Sequence, residues 1–361
     1  MASVLVLGSG MVGSAISQDL ATRHSVIASD FDAAPLTRLE CVSGISTLQL
    51  DVLDTSALRA AASEVDMVVS AVPGALGFQV LSTLIEAGKN VTDISFFPEE
   101  ALDLHDLAVE KGSIVVTDMG VAPGLDNLIF GHHNTSMKIS RFECMVGGLP
   151  KNPTPPWFYK APFSPMDVIE EYLRPARMVE NGREVVKPAL TDPELIDFEK
   201  VGTLEAFNTD GLRSLLRTMK HVPDMVEKTL RFPGHREQVL SLLERGSLRE
   251  EATSAMLKSQ WALGPKEEEF TVMRVTVEGE EGGVDVRHVW DLYDEFDSQS
   301  GVSSMARTTG YTCTGMAECI LDGSWNTPGV SPGELVGGNA AVFNRVLSHL
   351  KDRGIEMTKS P

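Results

Sequence analysis

Short apolar runs alternate with helix-like stretches over the first 125 residues of the chain. Six of these runs are apolar along most of their length rather than at every second position, which is typical of strands covered on both faces. Strands that alternate with helices predict parallel βαβ units and a doubly wound α/β sheet. The expected strands read SVLVLG, SVIASD, STLQLD, DMVVSA, NVTDI and SIVVTD, with helices near 11–22, 33–41, 54–64, 75–88 and 98–111.

The pattern changes near residue 138, where turns instead of helices join the expected strands. A hairpin is expected in EFTVMRVTVEGEEGGVDVRHVWDLYDEF, with Gly279, Gly282 and Gly283 at its tip. This part of the chain therefore predicts an α+β domain with a mixed or antiparallel sheet. Other strands are expected at RFECMVGGL and near 177–187, 196–207 and 226–232, with helices near 166–173, 210–220, 235–246, 303–322 and 332–353.

A glycine motif directly follows the first expected strand and opens the first expected helix. In LGSGMVGS, Gly8, Gly10 and Gly13 form G-x-G-x-x-G, which in this context predicts a dinucleotide site. The first glycine permits a tight turn, the second lets the backbone approach a pyrophosphate, and the third lets helix and strand pack closely. We expect the whole loop to contact the cofactor, including Ser9, Met11 and Val12.

An acidic residue at the end of the second strand bears on cofactor choice. Asp30 can hydrogen-bond the adenosine ribose and repel a 2′-phosphate, so NAD is favoured over NADP. Asp32 is a nearby substitute, and Arg38 leaves NADP open as the second option. Further cofactor contacts are expected where the third and fourth strands end, although plain loops explain these segments equally well: Asp51, Val52, Ala71, Val72 and Pro73.

The chain can be divided on this basis. We predict an NAD(P)-binding Rossmann domain over 1–125 and a catalytic domain over 126–325. The final segment, 326–361, is expected to be helical, and a return onto the first domain is one option for it.

Composition narrows the classes of function. No apolar run approaches the ~20 residues of a membrane span, and the start MASVLVLGSG lacks the basic region of a signal peptide. A cytoplasmic protein is therefore expected. The net charge of −20 argues against nucleic acid as a partner and mildly favours a cationic substrate. The four cysteines show no zinc spacing, so we expect free thiols and no metal site.

Several later segments combine polar side chains with turn chemistry, as functional loops often do. TDISFFPEE contains Asp93, Ser95 and Phe96; TDMGVAPGLDN places Asp126 in the first turn of a helix. An ordinary helix-start acid is the alternative for Asp126. Tyr159 and Lys160 lie in the proline-braced PPWFYKAPFS, Thr209 follows an expected strand, and His235 begins an expected helix, where a structural role is the commoner one.

These segments together resemble the saccharopine dehydrogenase superfamily, in particular the lysine 6-dehydrogenases. The resemblance rests on VLGSGMVGSA, DMGVAPGLDN, VGGLPKNPTPPWFYKAPFS, GTLEAFNTDG, KTLRFPGH and SSMARTTGYT. It implies hydride transfer between a nicotinamide cofactor and a C–N bond, and oxidation of L-lysine at its ε-amine to 2-aminoadipate 6-semialdehyde, which cyclises to piperideine-6-carboxylate. It assigns Phe96, Asp126, Lys160 and Thr209 to the substrate pocket and, less closely, Tyr159 and His235.

Other enzymes on this scaffold remain open, among them glutamate-forming saccharopine dehydrogenase and a polyamine-forming synthase. Where the saccharopine enzymes carry an arginine suited to a substrate carboxylate, this sequence has Thr209 and Asp210, which favours a smaller substrate. Arg213 and Arg217 lie close enough in sequence to leave the point undecided. A non-catalytic nicotinamide-bound sensor or scaffold is the other class of function, and a homodimer is the expected assembly.

The chemistry sets one requirement that is independent of the resemblance. An ε-ammonium group has a pKa of about 10.4 and must lose its proton before a hydride can leave the neighbouring carbon. We expect Asp126 to bind a substrate amino group, and Lys160 to act in acid/base catalysis or to bind the carboxylate. His235 is the alternative base.

Overall fold

The computed structural model describes residues 1–264 and 267–360, which form two compact units. The first unit comprises Met1–Thr135 and Ala306–Gly354. The second comprises Ser136–Met305 and the chain end from Ile355. The chain therefore returns to the first unit earlier than the expected segment boundary at residue 326, and the helix that carries Asp126 belongs to the first unit.

The first unit is built on a seven-stranded sheet in which all strands are parallel. The strand order is β15-β6-β5-β4-β1-β2-β3, with the order reversing between β1 and β4, so the predicted doubly wound α/β fold is confirmed. The sequence did not predict β15, a short edge strand. The strands are β1 (Ser3–Leu7), β2 (Ser25–Asp30), β3 (Ile45–Gln49), β4 (Met67–Ser70), β5 (Asn90–Asp93), β6 (Ile114–Thr117) and β15 (Gly329–Pro332).

Apolar side chains explain why this sheet lies inside its unit. Leu5, Val68, Val91, Val115 and Val330 come from five strands, are each fully buried, and belong to one hydrophobic cluster. Continuous apolar runs suit such central strands because helices cover both faces of the sheet.

Helices of the first unit follow the predicted positions, with two interruptions. The expected helix at 98–111 is a 3₁₀ turn, Ala101–Leu104, followed by α5. The expected helix at 332–353 is divided because Asn339 caps a new helix by accepting hydrogen bonds from two backbone N–H groups. The helices are α1 (Met11–Ala21), α2 (Ala33–Leu39), α3 (Thr55–Ser63), α4 (Gly74–Glu86), α5 (His105–Lys111), α6 (Leu125–His133), α11 (Ser304–Leu321), α12 (Gly333–Gly337) and α13 (Ala340–Lys351).

The second unit contains a large mixed sheet, as predicted. Its main path is β10-β11-β12-β7-β13-β14-β16, and β8 joins β12 to β9. Among the described strands of this second sheet, only β12 and β7 pair in parallel. The strands are β7 (Met137–Pro150), β8 (Ala176–Glu180), β9 (Arg183–Lys187), β10 (Glu194–Phe198), β11 (Gly202–Asn208), β12 (Asp224–Arg231), β13 (Glu269–Glu281), β14 (Val284–Glu295) and β16 (Met357–Ser360).

The hairpin between β13 and β14 corrects one detail of the sequence analysis. Gly282 and Gly283, with φ of +60° and +85°, form the two-residue turn. Gly279 lies inside β13 instead of at the tip, at an irregularity in the pairing with β7. A Cβ atom on Gly279 would stand 2.3 Å from the carbonyl oxygen of Lys138, so close approach of the two strands explains this glycine.

Among the described residues, four α-helices accompany the sheet of the second unit: α7 (Pro165–Leu173), α8 (Leu215–Thr218), α9 (His235–Glu244) and α10 (Glu251–Trp261). The expected helix at 210–220 is reduced to the single turn α8. The sequence did not predict α10, whose amphipathic pattern is weak; Leu257 and Trp261 anchor it in the core.

Candidate functional site

The glycine loop between β1 and α1 has two glycines that the packing of the chain itself requires. A Cβ atom on Gly8, whose φ is +89°, would stand 2.4 Å from the carbonyl oxygen of Ala71. A Cβ atom on Gly13 would stand 1.9 Å from the carbonyl oxygen of Gly8. Both distances are far below a van der Waals contact, so strand, loop and helix reach their positions only with glycine there.

Gly10 differs from the other two glycines. A Cβ atom there would meet no atom of the described residues within 4 Å. Helix α1, which begins at Met11, has no side-chain cap on its first N–H groups. Open space in front of uncapped N–H groups at a helix start fits the pyrophosphate of a dinucleotide. The residues present, with Ser9, Met11 and Val12 around the turn, therefore fit the cofactor that the motif predicts.

Asp30 serves the loop in a way that its position in the sequence did not reveal. One carboxylate oxygen accepts a hydrogen bond from the backbone N–H of Ser9 at 2.7 Å, and the other accepts one from that of Asp32 at 2.9 Å. Asp32 in turn caps α2 by accepting from Ala34 at 3.0 Å. Both carboxylate oxygens of Asp30 are therefore engaged in hydrogen bonds with backbone N–H groups.

The other expected cofactor residues lie at the ends of β3 and β4. Asp51 is exposed and accepts a hydrogen bond from the backbone N–H of Leu53 at 2.9 Å. Val52 and Ala71 are half-buried, Val72 is buried and Pro73 is exposed. The methyl group of Ala71 is 3.5 Å from the Cβ position of Gly13, so this strand end lies against the glycine loop.

A buried carboxyl group lies at the end of the next strand. Asp93, the last residue of β5, is fully buried and accepts hydrogen bonds from the hydroxyl and the backbone N–H of Ser95 at 2.9 and 3.1 Å. Burial, together with the carboxylate of Asp118, raises the pKa of Asp93 to about 7. Phe96, on the same loop, is half-buried.

The turn after β6 positions Asp126. Gly124 has a φ of +140°, and a Cβ atom on it would stand 2.2 Å from the carbonyl oxygen of Gly120, so this turn requires glycine. Asp126 is fully buried, and its Oδ1 accepts a hydrogen bond from the backbone N–H of Gly124 at 2.8 Å. The carboxylate therefore holds the turn at the start of α6, as a helix-start acid does.

In the second unit, a chain of hydrogen bonds links an arginine, a tyrosine and a histidine. The Nε of Arg231 donates to the hydroxyl of Tyr172 at 2.7 Å, and that hydroxyl is 3.0 Å from Nε2 of His235. The Nδ1 of His235 is 2.8 Å from the carbonyl oxygen of Trp157, which can only accept. The Nδ1 of His235 must therefore carry a proton and donate it to this carbonyl oxygen. In a neutral ring, Nε2 is then an acceptor, and the hydroxyl of Tyr172 donates to it.

Burial explains why His235 stays neutral. Its side chain is fully buried, and burial together with the Arg231 guanidinium lowers its pKa to about 3. Both ring nitrogens are engaged, so the geometry favours a structural role for His235 over that of a base acting near neutral pH.

Tyr159 packs against the same cluster. Its ring lies 4.5 Å from the Arg231 guanidinium carbon and 4.8 Å from the His235 ring. Its hydroxyl is buried and has no hydrogen-bond partner within residues 1–264 and 267–360. Burial raises the pKa of this hydroxyl, so it stays protonated and is available as a donor.

Thr209 and Lys160 have different hydrogen-bond partners, and only Thr209 is linked to Arg231 through contacts among the described residues. The hydroxyl of Thr209 is 2.9 Å from that of Thr229, which donates to the carboxylate of Glu171; Glu171 lies 3.6 Å from Arg231. Thr209 thus connects to the Arg231 cluster. The ammonium of Lys160 donates to the carbonyl oxygen of Ala262 at 3.2 Å.

The described residues contain no helix that could span a membrane. They also contain no group of three or more histidine, cysteine or acidic side chains that could hold a metal ion. All four cysteines are free; Cys41 is exposed, and Cys144, Cys313 and Cys319 are buried.

Two family models match the chain over nearly its whole length. Residues 4–116 match the saccharopine dehydrogenase NADP binding domain, and residues 120–355 match the saccharopine dehydrogenase C-terminal domain. The first match covers the part of the chain that contains the glycine loop, and the second covers most of the remainder.

Curated relatives carry the same family name. The NADP(+)-dependent, L-glutamate-forming saccharopine dehydrogenase of Schizosaccharomyces pombe is 28% identical over 285 residues, which are 74% of this chain and 63% of the relative. The Saccharomyces cerevisiae enzyme of the same name is 27% identical over 273 residues, 71% of this chain and 60% of the relative. The chain thus spans less than two thirds of the length of these relatives.

Solved structures show the same fold. The apo L-Glu-forming saccharopine dehydrogenase of Saccharomyces cerevisiae superposes with a TM-score of 0.83 at 20% identity, covering 100% of this chain and 99% of that one. A homospermidine synthase from Legionella pneumophila, in complex with NAD, gives 0.69 at 11% identity, covering 99% and 91%.

These findings correct the expectation of NAD. The matching cofactor domain is an NADP-binding one, and the yeast relatives are named as NADP(+) enzymes. The expectation rested on Asp30 repelling a 2′-phosphate, but both oxygens of this carboxylate bind backbone N–H groups. An acid that holds the loop together does not by itself select NAD.

The glycine loop fits a dinucleotide, the two family models together cover more than half of the chain, and the closely similar fold agrees with them. The chain belongs to the saccharopine dehydrogenase family of oxidoreductases.

Proposed function

We propose that this protein is an NADP-dependent dehydrogenase that removes a hydride from the C–N bond of saccharopine. Water then hydrolyses the resulting imine to glutamate and 2-aminoadipate 6-semialdehyde. The observation that carries the dinucleotide-dependent part of the proposal is the glycine loop, where Gly8 and Gly13 are required by packing while Gly10 faces open space. The names of the yeast relatives support NADP and saccharopine. NADP⁺, when bound, supplies the hydride acceptor for the reaction.

A second candidate is NADP-dependent oxidation of L-lysine at its ε-amine. Asp210, which stands where the saccharopine enzymes were expected to carry an arginine, accepts from Nε and Nη2 of Arg177 at 2.9 and 2.8 Å. An acid and an arginine that neutralise each other offer little attraction to a glutamyl carboxylate. This pair favours a substrate with fewer carboxylates.

Either substrate must lose a proton from its amine before the hydride leaves. As candidate substrate-binding residues we propose Phe96 and Asp126 in the first unit. In the second unit we propose, independently, Tyr159, Lys160 and Thr209. Asp126 binds an amino group, and Lys160 binds a carboxylate or exchanges a proton. The buried hydroxyl of Tyr159 is a donor that a substrate oxygen can use. The low pKa of His235 makes it a poor proton acceptor near neutral pH.

Asp126→Asn tests the charge of Asp126, since the amide oxygen can still accept from the N–H of Gly124. We expect kcat/KM to fall about 10- to 100-fold because a hydrogen bond to a charged group is worth roughly 1.5–3 kcal/mol. The dissociation constant for NADPH, measured by fluorescence titration, should stay unchanged. Asp106→Asn, at an exposed acid in the first turn of α5, is the matched control. Unchanged turnover by Asp126→Asn would remove this carboxylate from substrate binding.

The direct test of the proposed reaction is reduction of NADP⁺ by the purified protein with saccharopine, with L-lysine and with neither. We expect reduction with saccharopine.

A further inference from the structure

Two threonine hydroxyls and a carboxylate form a chain of hydrogen bonds in the second unit. The hydroxyl of Thr209, which directly follows β11, lies 2.9 Å from the hydroxyl of Thr229 on β12. The hydroxyl of Thr229 donates to Oε1 of Glu171 on α7. Both threonines are buried and Glu171 is half-buried. The chain of hydrogen bonds therefore runs from a half-buried carboxylate to the buried hydroxyl of Thr209.

The number of available protons fixes the direction of both hydrogen bonds in this chain. A carboxylate has no proton to donate, and a threonine hydroxyl has one. Thr229 donates its proton to Glu171, so its oxygen must accept at the contact with Thr209. Thr209 therefore donates to Thr229, and its own oxygen is left with lone pairs only. Towards any further group, the hydroxyl of Thr209 is an acceptor and not a donor.

The guanidinium of Arg231 lies at the carboxylate end of the chain. Its Nη2 is 3.6 Å from Oε2 of Glu171, while Thr229 contacts the other oxygen, Oε1. A guanidinium is always cationic and has no acceptor, so it attracts the negatively charged form of Glu171, which can only accept hydrogen bonds. Arg231 thereby supports the direction in which Thr209 and Thr229 donate.

An acceptor of this kind favours some ligand groups over others. An ammonium or amine group donates N–H, so the oxygen of Thr209 can accept from it; a carboxylate carries only acceptors and would face the lone pairs of Thr209 without a proton between them. Polar groups that lose their partners on burial are costly. The Arg231 cluster also contains the hydroxyl of Tyr159, a buried donor that has no partner among the described residues. An amino acid carries groups complementary to both.

We propose that Thr209 binds an amino group of the substrate as a hydrogen-bond acceptor, and that Thr229 and Glu171 are positioning residues that set this polarity. The inference rests on the proposed function, because it names the substrate group that Thr209 recognises. Thr229 and Glu171 act through Thr209: one takes its proton, and the other takes the proton of Thr229. A carboxylate of the substrate is rejected at Thr209.

Binding of three ligands tests the acceptor without any turnover. L-Lysine, L-norleucine, which lacks the ε-amino group, and 6-aminohexanoate, which lacks the α-amino group, are titrated calorimetrically in the presence of NADPH, which cannot accept a hydride. In wild type, loss of the amino group that Thr209 binds should weaken binding about tenfold or more. In Thr209→Val the same loss should make almost no difference, whereas Thr209→Ser, which keeps the hydroxyl, should discriminate as wild type does.

Thr203→Val is the matched control for Thr209→Val. Thr203 belongs to β11, is exposed, and its hydroxyl also donates to a carboxylate, that of Asp197. This variant should keep the wild-type discrimination between the three ligands. Failure of wild type to bind L-lysine, or equal weakening of all three ligands by Thr209→Val, would overturn the proposal.

Thr229→Val tests the positioning role. It removes the acceptor of the Thr209 proton, so Thr209 can turn this proton towards the ligand, and the discrimination should be lost as in Thr209→Val. Thr229→Ser should restore it, which a merely structural role of Thr229 does not require. In turnover, KM of Thr229→Val should rise about tenfold, with a smaller change in kcat.

The two kinds of measurement separate this inference from the proposed function. If the ligands bind as expected while wild type oxidises neither saccharopine nor L-lysine, the proposed function fails and the role of Thr209 stands. If wild type is active and Thr209→Val keeps both the KM and the discrimination of wild type, binding of an amino group by Thr209 is refuted.

Discussion

Gly13→Ala is expected to destabilise the first unit strongly and to abolish binding of the cofactor. The new methyl carbon would stand 1.9 Å from the carbonyl oxygen and 2.8 Å from the carbonyl carbon of Gly8. Both are backbone atoms, so helix α1 must move away from β1. We expect a loss of about 3 kcal/mol or more in the free energy of unfolding, at or above the upper end for overpacking. Chemical denaturation and NADPH titration measure the two effects.

Gly10→Ala is the matched control, in the same loop and with the same added methyl group. This methyl group meets no described atom within 4 Å, so the free energy of unfolding should change by less than about 1 kcal/mol, the range for residues at a helix cap. Binding of NADPH should still weaken at least tenfold, because the methyl group would occupy the space in front of the uncapped N–H groups. Equal stability of the two variants would contradict the packing argument, and unchanged NADPH binding by Gly10→Ala would contradict the position assigned to the pyrophosphate.

Arg231→Met is expected to have the second largest effect. The guanidinium is 2% exposed, donates to the hydroxyl of Tyr172 and to the carbonyl oxygen of Leu230, and lies over the ring of Tyr159. Methionine keeps much of the volume but leaves these acceptors and the carboxylate of Glu171 without the cation. Breaking a buried pair in this way costs about 3 kcal/mol or more, which urea denaturation would detect.

Arg177→Met provides the comparison for Arg231→Met, since Arg177 also pairs with an acid in the second unit but its side chain is 37% exposed. We expect a loss below about 1 kcal/mol. Because Arg231 lowers the pKa of His235, that pKa should rise in Arg231→Met, as NMR titration of the ring can show. Equal losses in both variants would mean that burial of Arg231 adds nothing.

The first unit was predictable because its signals are local. Continuous apolar runs mark strands covered on both faces, and a glycine motif between strand and helix marks the dinucleotide loop. Strands β15 and β16 are four residues each and have no such pattern; they form by pairing with β6 and β14, which lie far away in the sequence. Helix α10 also depends on distant packing, through Leu257 and Trp261. Elements of this kind depend on tertiary contacts that a sequence pattern does not contain.

In the candidate site, too, some features could be predicted from the sequence and others are visible only in the fold. Spacing identifies the glycine motif, but the inference from Asp30 to NAD was wrong. The hydrogen bonds of Asp30 to backbone N–H groups are visible only in the fold. His235 was considered as a base because histidine titrates near neutrality, whereas burial beside Arg231 keeps it neutral.

The most direct test of the account is the cofactor and substrate pair that the purified protein uses. Formation of NADPH from NADP⁺, and of NADH from NAD⁺, should be followed with saccharopine, with L-lysine and without substrate. We predict reduction of NADP⁺ with saccharopine and release of glutamate, and a lower rate with NAD⁺. Reduction of NADP⁺ with L-lysine alone would favour the second candidate and reject saccharopine. No reduction with either substrate, or reduction of NAD⁺ only, would contradict the proposed function.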